Sequence, residues 1–96
     1  MNRDQALSIL SELREPLRRL GVTELALFGS VARNQAGATS DVDVLVELQP
    51  GDFWRQYNQV LDALEAAFPC RVDLVPKANL KPQLRDRVLG EAIDVA

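Results

Sequence analysis

The chain has 96 residues, of which 47% are hydrophobic and 26% are charged, a balance typical of a single globular domain over residues 1–96. Eleven Lys and Arg against fourteen Asp and Glu give a net charge of −3, which argues against direct nucleic-acid binding. The absence of His and the single Cys exclude His-based general bases, His metal ligands and internal disulfides. A polar start and the lack of a long apolar run predict no signal peptide, no membrane span and a cytoplasmic location.

The apolar pattern predicts helices and strands that alternate along the first half of the chain. Leucines recur at helical spacing over residues 4–20, where Pro16 should kink or split the helix. Residues 22–28 read as a strand, and Ser30 is expected to be the N-cap of a short helix. A polar loop over 34–40 then leads into a second strand over 41–48.

The second half of the chain continues the alternation. Residues 53–68 form the longest predicted helix, with Trp54 and Tyr57 expected in the core, and residues 71–75 form a third strand. A last helix opens at Lys81–Pro82 and should bury Leu84, Val88 and Leu89, while residues 91–96 fit either a helix end or a short strand. The order α-β-α-β-α-β-α predicts an α+β fold, an α/β sandwich with helices flanking a small mixed sheet.

Three acidic residues stand out on the predicted strands. Asp41 and Asp43 alternate with valines, so both carboxylates project from one face, roughly 6.6 Å apart along the strand. Glu47 shares that face but lies about 13 Å beyond Asp43, too far to share an ion. Asp73 interrupts an apolar strand and could face the pair if the two strands are neighbours. These carboxylates fit a hard divalent cation such as Mg²⁺. The simpler alternatives are a solvated strand edge for Asp41 and Asp43 and an ordinary partner, Arg71 or a loop Arg, for Asp73.

A Gly-Ser turn follows the first strand. Gly29 would allow a ligand to approach the backbone, and Ser30 would offer a hydroxyl near free N–H groups, as phosphate sites do. By itself the pair is an ordinary strand-to-helix turn. No P-loop or dinucleotide-binding glycine motif is present.

The combination of Gly29-Ser30, ten residues, Asp41-Val42-Asp43 and a later strand Asp resembles the signature of the DNA polymerase β-like nucleotidyltransferases. Residues 27–33 (LFGSVAR) and 40–46 (SDVDVLV) are similar to the minimal nucleotidyltransferases, the MNT domains that partner HEPN proteins in toxin–antitoxin pairs. The resemblance covers nearly the whole chain. Asn34 stands where the family usually has Gly, and Asn tolerates the left-handed conformation that Gly provides.

The resemblance implies a catalytic and metal-binding triad of Asp41, Asp43 and Asp73 that holds two Mg²⁺ ions. Asp73 would also accept the proton of the acceptor hydroxyl. Gly29 and Ser30 would bind the phosphates of ATP. Arg33 would either touch phosphate or tie its loop to the sheet.

The resemblance also implies the reaction: transfer of AMP from ATP to a tyrosine of a helical HEPN-type toxin, which makes this chain the antitoxin. Two alternatives stay open, a non-catalytic antitoxin that blocks its partner sterically and a nucleotidyltransferase with a small-molecule or RNA acceptor. The basic residues around the last helix could serve docking, although a solvated helix face is the simpler interpretation.

Overall fold

The computed structural model describes residues 1–37 and 41–95. Within them four α-helices and four β-strands alternate, with a single 3-10 turn before the last helix. The elements are α1 (Arg3–Arg19), β1 (Val22–Phe28), α2 (Gly29–Ala32), β2 (Val42–Leu48), α3 (Phe53–Ala67), β3 (Val72–Pro76), the 3-10 turn (Lys77–Asn79), α4 (Pro82–Glu91) and β4 (Ile93–Asp94). None of the helices in the described segments has the length and apolarity that a bilayer crossing requires.

The strands form one mixed sheet in the order β3-β2-β1-β4. β1 runs antiparallel to both β2 and β4, whereas β2 and β3 are parallel. Helix α3 supplies the crossover that a parallel pair requires. The predicted α+β fold with a small mixed sheet is confirmed, and the undecided C-terminal segment adds β4 at the sheet edge.

One face of the sheet carries the hydrophobic core. Valines 42, 44 and 46 alternate along β2 and point to this face, as the period of two predicts. Leu10 and Leu17 of α1 and Val60 and Leu64 of α3 cover it and are fully buried. Two helices on one sheet face therefore bury most of the apolar surface that this short chain offers.

The ends of α1 follow local rules, and Pro16 does not divide the helix. Asn2 and Gln5 form a capping box, in which each backbone N–H donates to the other side chain at 2.8 and 3.0 Å. Pro16 lies within the single helix, where it removes one hydrogen bond of the last turns. The sequence predicted that Pro16 would either kink or split this helix, and the structure shows that it does not split it.

Several predictions about burial on the later helices are wrong. Trp54 is 66% exposed rather than in the core, because it lies on the outer side of α3. Leu84 and Leu89 are 45% and 37% exposed, and only Val88 of α4 is buried. Helix α4 lies over Ala26 and Leu45, which are buried but do not belong to the core under α1 and α3, and Leu89 borders a cavity there instead of filling it. The predicted loop residues 38–40 lie outside the described residues.

Candidate active site

The second face of the sheet carries the acidic residues of β2 and β3. In the parallel register Asp43 lies directly opposite Asp73, as the sequence predicted if the strands were neighbours. Asp73 is exposed and Asp43 half-buried. Asp41 immediately precedes β2 and is exposed. The fold therefore brings Asp73 next to a pair of carboxylates that lies 30 residues earlier in the sequence.

The electrostatics of Asp43 reflect this crowding. Partial burial raises the pKa of Asp43 to about 6, and the negative charges of Asp73 and Asp41 add to the effect. A hydrogen bond with Asp73 favours the protonated form of Asp43 further, while the positive charge of Arg33 opposes the shift. The surroundings of Asp43 thus supply too little positive charge to keep its carboxylate fully ionised near pH 6.

The Gly29-Ser30 turn lies directly beside Asp43. Phe28, the last residue of β1, pairs with Asp43 across the antiparallel ladder. Gly29 has φ +77°, and a Cβ at this position would overlap the Asp43 carboxylate and lie 2.9 Å from its Cγ. Only glycine both adopts this positive φ without strain and leaves room for the Asp43 carboxylate. The close approach of backbone and carboxylate therefore depends on Gly29.

The expected N-cap at Ser30 is wrong. Helix α2 already begins at Gly29, because the Gly29 carbonyl accepts a helical hydrogen bond from the Arg33 N–H at 3.1 Å. Ser30 therefore lies inside the turn. The chain leaves the turn at Asn34, whose φ of 59° confirms the left-handed conformation predicted for it.

Arg33 points to the C-terminal helix. Its Nη1 atom donates to both carboxylate oxygens of Glu91, at 3.0 and 2.9 Å, and its Nε donates to Gln35 at 3.2 Å. Of the two alternatives for Arg33, tying its loop down is therefore observed, with α4 rather than the sheet as the anchor. The sequence pattern did not single out Glu91, because it is 58 residues away and carries no motif.

Whether Mg²⁺ can bind at this site depends on the oxygen ligands that the site offers. In residues 1–37 and 41–95 no three His, Cys, Asp or Glu side chains are already arranged to enclose a metal ion. Asp43 and Asp73 are nevertheless hard oxygen donors in adjacent register, and their mutual repulsion is what a cation would relieve. Mg²⁺ commonly binds through one or two carboxylates and completes its ligands with water and substrate phosphates. The residues present fit that mode of binding.

A cavity of about 350 Å³ lies on the same sheet face, farther along the strands than the carboxylates. Ala26 and Leu45 belong to its lining, and Leu89 and Ala92 line it from the α4 side. Lys77 and Glu24, which form an ion pair at 2.7 Å, stand at its border. Asp41, Asp43 and Asp73 do not line this cavity.

Comparisons with known proteins agree with this geometry. The family model described as a nucleotidyltransferase domain matches residues 10–95. The protein adenylyltransferase MntA of Thermococcus cleftensis is 39% identical over 92% of this chain and 90% of its own length. A candidate protein adenylyltransferase of Methanocaldococcus jannaschii, MJ0435, is 38% identical over 82% of this chain and 85% of its own.

Solved structures lead to the same class. A minimal nucleotidyltransferase superposes with a TM-score of 0.84 and 34% identity, covering 97% of this chain and 95% of that one. A toxin–antitoxin complex with AMP-PNP shares the fold, with a TM-score of 0.61 and 20% identity over 100% of this chain and 73% of that one.

The chain belongs to the nucleotidyltransferase family. Within that family it is a minimal nucleotidyltransferase, and it is an enzyme of this class. The resemblance stated from residues 27–33 and 40–46 is thereby confirmed.

Proposed function

We propose that this chain is a Mg²⁺-dependent protein adenylyltransferase that transfers AMP from ATP to a tyrosine of a HEPN-type toxin and so acts as the antitoxin. The observation that carries the proposal is the direct apposition of Asp43 and Asp73 beside the Gly29 turn. The 39% identity with a protein adenylyltransferase over nearly the full length of both chains supports the reaction type. A structural relative that is a toxin–antitoxin complex with AMP-PNP supports ATP and a toxin partner.

Each residue of the site has a role in this reaction. Asp41, Asp43 and Asp73 would hold Mg²⁺, which supplies positive charge to the α-phosphate and to the leaving pyrophosphate. Ser30 would bind the β- and γ-phosphates through its hydroxyl and the N–H groups after Gly29. Gly29, whose own N–H donates to Glu91, would let the phosphates approach the backbone. Arg33 would add positive charge next to the phosphates while its Nη1 atom remains paired with Glu91.

The transfer is an in-line displacement. The acceptor oxygen forms a bond to the α-phosphorus, and the bond from that phosphorus to the oxygen bridging to the β-phosphate breaks. Pyrophosphate leaves with the electron pair, and Asp73 accepts the proton of the acceptor hydroxyl. Asp73 is exposed at the edge strand, where a hydroxyl from another protein can reach it.

Intact-mass spectrometry of the co-expressed helical partner tests this proposal. With the wild-type chain we expect the partner to gain one or more AMP masses, and with Asp43→Asn none. Glu47→Gln is the matched control, because Glu47 lies on the same strand and face but beyond the carboxylate cluster; it should transfer as the wild type does.

Two other results would overturn the proposal. A stable complex that silences the partner without any mass change, equally with Asp43→Asn, would indicate a binding antitoxin. Labelled nucleotide that accumulates on RNA or on a small molecule instead of the partner would indicate a different acceptor.

A further inference from the structure

The turn that carries Ser30 cannot be stable through its own hydrogen bonds. Helix α2 has only four residues, Gly29–Ala32, and a helix of one turn is strongly disfavoured in isolation. Its N-cap, Phe28, offers no side-chain hydrogen bond to the free N–H groups at the start of the helix. Contacts from elsewhere in the fold must therefore keep this turn in place.

Glu91 contacts both ends of α2. Its Oε1 atom accepts a hydrogen bond from the N–H of Gly29, the first residue of α2, at 3.4 Å. Both of its carboxylate oxygens accept from Nη1 of Arg33, the C-cap residue of α2. Hydrogen bonds between charged groups are about twice as strong as neutral ones. One carboxylate on α4 thus bridges the beginning and the end of the turn.

This bridge is more sheltered than the other ion pair that links distant elements among the described residues. The side chain of Glu91 is 19% exposed, whereas that of Glu24, paired with Lys77, is 51% exposed. An ion pair that is partly shielded from water is screened less by salt than an exposed pair. Glu24 is for this reason the matched control for Glu91.

We propose that Glu91 is a positioning residue for nucleotide binding: it fixes the two ends of α2 and thereby orients Ser30 toward the triphosphate. The Ser30 hydroxyl makes no hydrogen bond to any described residue, so the bridge leaves the middle of the turn open. The statement that Glu91 promotes ATP binding rests on the proposed function. The statement that Glu91 stabilises α2 does not.

The opposite role would be a block, because a carboxylate on the Gly29 N–H and on Arg33 occupies groups that could contact phosphate. The two roles predict opposite changes in ATP affinity when Glu91 is removed. If Glu91 positions the turn, its removal weakens ATP binding because Ser30 loses its orientation. If Glu91 blocks the site, its removal strengthens ATP binding because a competing negative charge is gone.

Hydrogen exchange tests the hold on α2 directly. The amides of Arg33, Asn34 and Gln35 donate within the turn, to the carbonyls of residues 29, 31 and 30. We expect these amides to exchange about tenfold faster in Glu91→Ala, less so in Glu91→Gln, and at the wild-type rate in Glu24→Gln. Arg33→Gln breaks the same pair from the other side and should also accelerate exchange. Amides of the β2 core serve as the control for intact folding.

Steady-state kinetics with MgATP test the consequence for the reaction. We expect Glu91→Ala to raise the KM for ATP about tenfold while kcat changes less than about twofold, because the lost orientation weakens substrate binding. Simple loss of folded enzyme would instead lower kcat at an unchanged KM. Glu24→Gln should change neither constant.

Each outcome decides a separate point. A lower KM for ATP in Glu91→Ala, or unchanged exchange of the α2 amides, would overturn the positioning role. A wild-type chain that transfers no nucleotide would overturn the proposed function, and the exchange of the α2 amides would still decide whether Glu91 holds the turn. Slower kcat alone, with unchanged exchange, would also contradict the inference.

Discussion

The two faces of the sheet differ in composition, cover and charge. On one face Val42, Val44 and Val46 pack under α1 and α3 in a core without a buried charge among the described residues. On the other face of the same strand Asp43 and Glu47 stand on either side of Leu45. Because side chains alternate with a period of two, a single strand packs into the core on one side and presents the candidate site residues on the other.

The face with the carboxylates contains groups whose ionisation disfavours folding. Asp43 and Asp73 lie opposite each other across β2 and β3, so two negative charges repel at close range. Helix α4 covers this face loosely, with Leu84 and Leu89 exposed, and leaves a cavity beside the site. Substitutions on the two faces should therefore differ in their effects on stability and on transfer.

The largest effect on stability is expected on the core face. Leu64 of α3 is fully buried, so Leu64→Ala should lower the free energy of unfolding by about 3 kcal/mol through lost burial and the resulting cavity. Urea denaturation measures the change. A loss below about 1 kcal/mol would mean that the core face does not carry the stability of the fold.

Gly29→Ala should damage both stability and transfer. The positive φ and the overlap of the new Cβ with Asp43 together should cost about 2 kcal/mol of unfolding free energy and displace the Asp43 carboxylate. Denaturation and AMP transfer are the measurements. Gly90→Ala is the matched control, because a Cβ at Gly90 in α4 meets no atom within 4 Å and should leave transfer intact.

A double variant separates the two causes of that loss. Asp43→Ala relieves the overlap but not the backbone strain, so adding it to Gly29→Ala should recover part of the stability. Strictly additive effects of the two substitutions would show that the Gly29 backbone and the Asp43 side chain do not meet.

Asp43→Asn should stabilise the fold in metal-free buffer. Because the pKa of Asp43 is raised from 3.8 to about 6 in the folded state, its ionisation disfavours folding. This penalty is absent below about pH 3.8, grows up to about pH 6 and is complete above it. The free energy of unfolding of Asp43→Asn should therefore exceed that of the wild type by about 1 kcal/mol at pH 7.5, a value reduced for partial exposure, and by less at pH 4.5.

Urea denaturation in EDTA at the two pH values measures this gain. Glu47→Gln, exposed on the same face, should change the free energy of unfolding by less than about 0.5 kcal/mol at either pH. Asp43→Asn that is less stable than the wild type at pH 7.5 would contradict the repulsion.

The smallest effect is expected from an exposed aromatic residue on a helix that also serves the core. Trp54 is 66% exposed, and its ring lies edge-on to those of Phe53 and Tyr57, with centroid separations of 5.1 and 5.8 Å. Trp54→Ala should lower the free energy of unfolding by about 0.5 kcal/mol, far less than Leu64→Ala on the same helix. Thermal denaturation of the two variants compares these losses of unfolding free energy. Equal losses in Trp54→Ala and Leu64→Ala would refute the prediction.

Elements that depend on local pattern could be predicted before the fold was known. The alternation of valines and acidic residues after residue 41 predicted both faces of β2, and helical spacing predicted α1 and α3 to within a residue or so at their ends. The motif residues Gly29, Ser30, Asp41 and Asp43 were also recognisable. Backbone periodicity and close spacing are properties of short segments, so they can be read without the fold.

Contacts between distant segments could not be predicted in this way, because they depend on how the elements pack. The register that places Asp73 opposite Asp43, the bridge from Glu91 to Arg33 and the exposure of Trp54 all depend on which elements meet. A carboxylate at the end of α4 has no local signal for a partner 58 residues away. Apolar spacing in α3 and α4 likewise predicted a buried face but not how much of it the sheet would cover, because burial is decided by packing between elements.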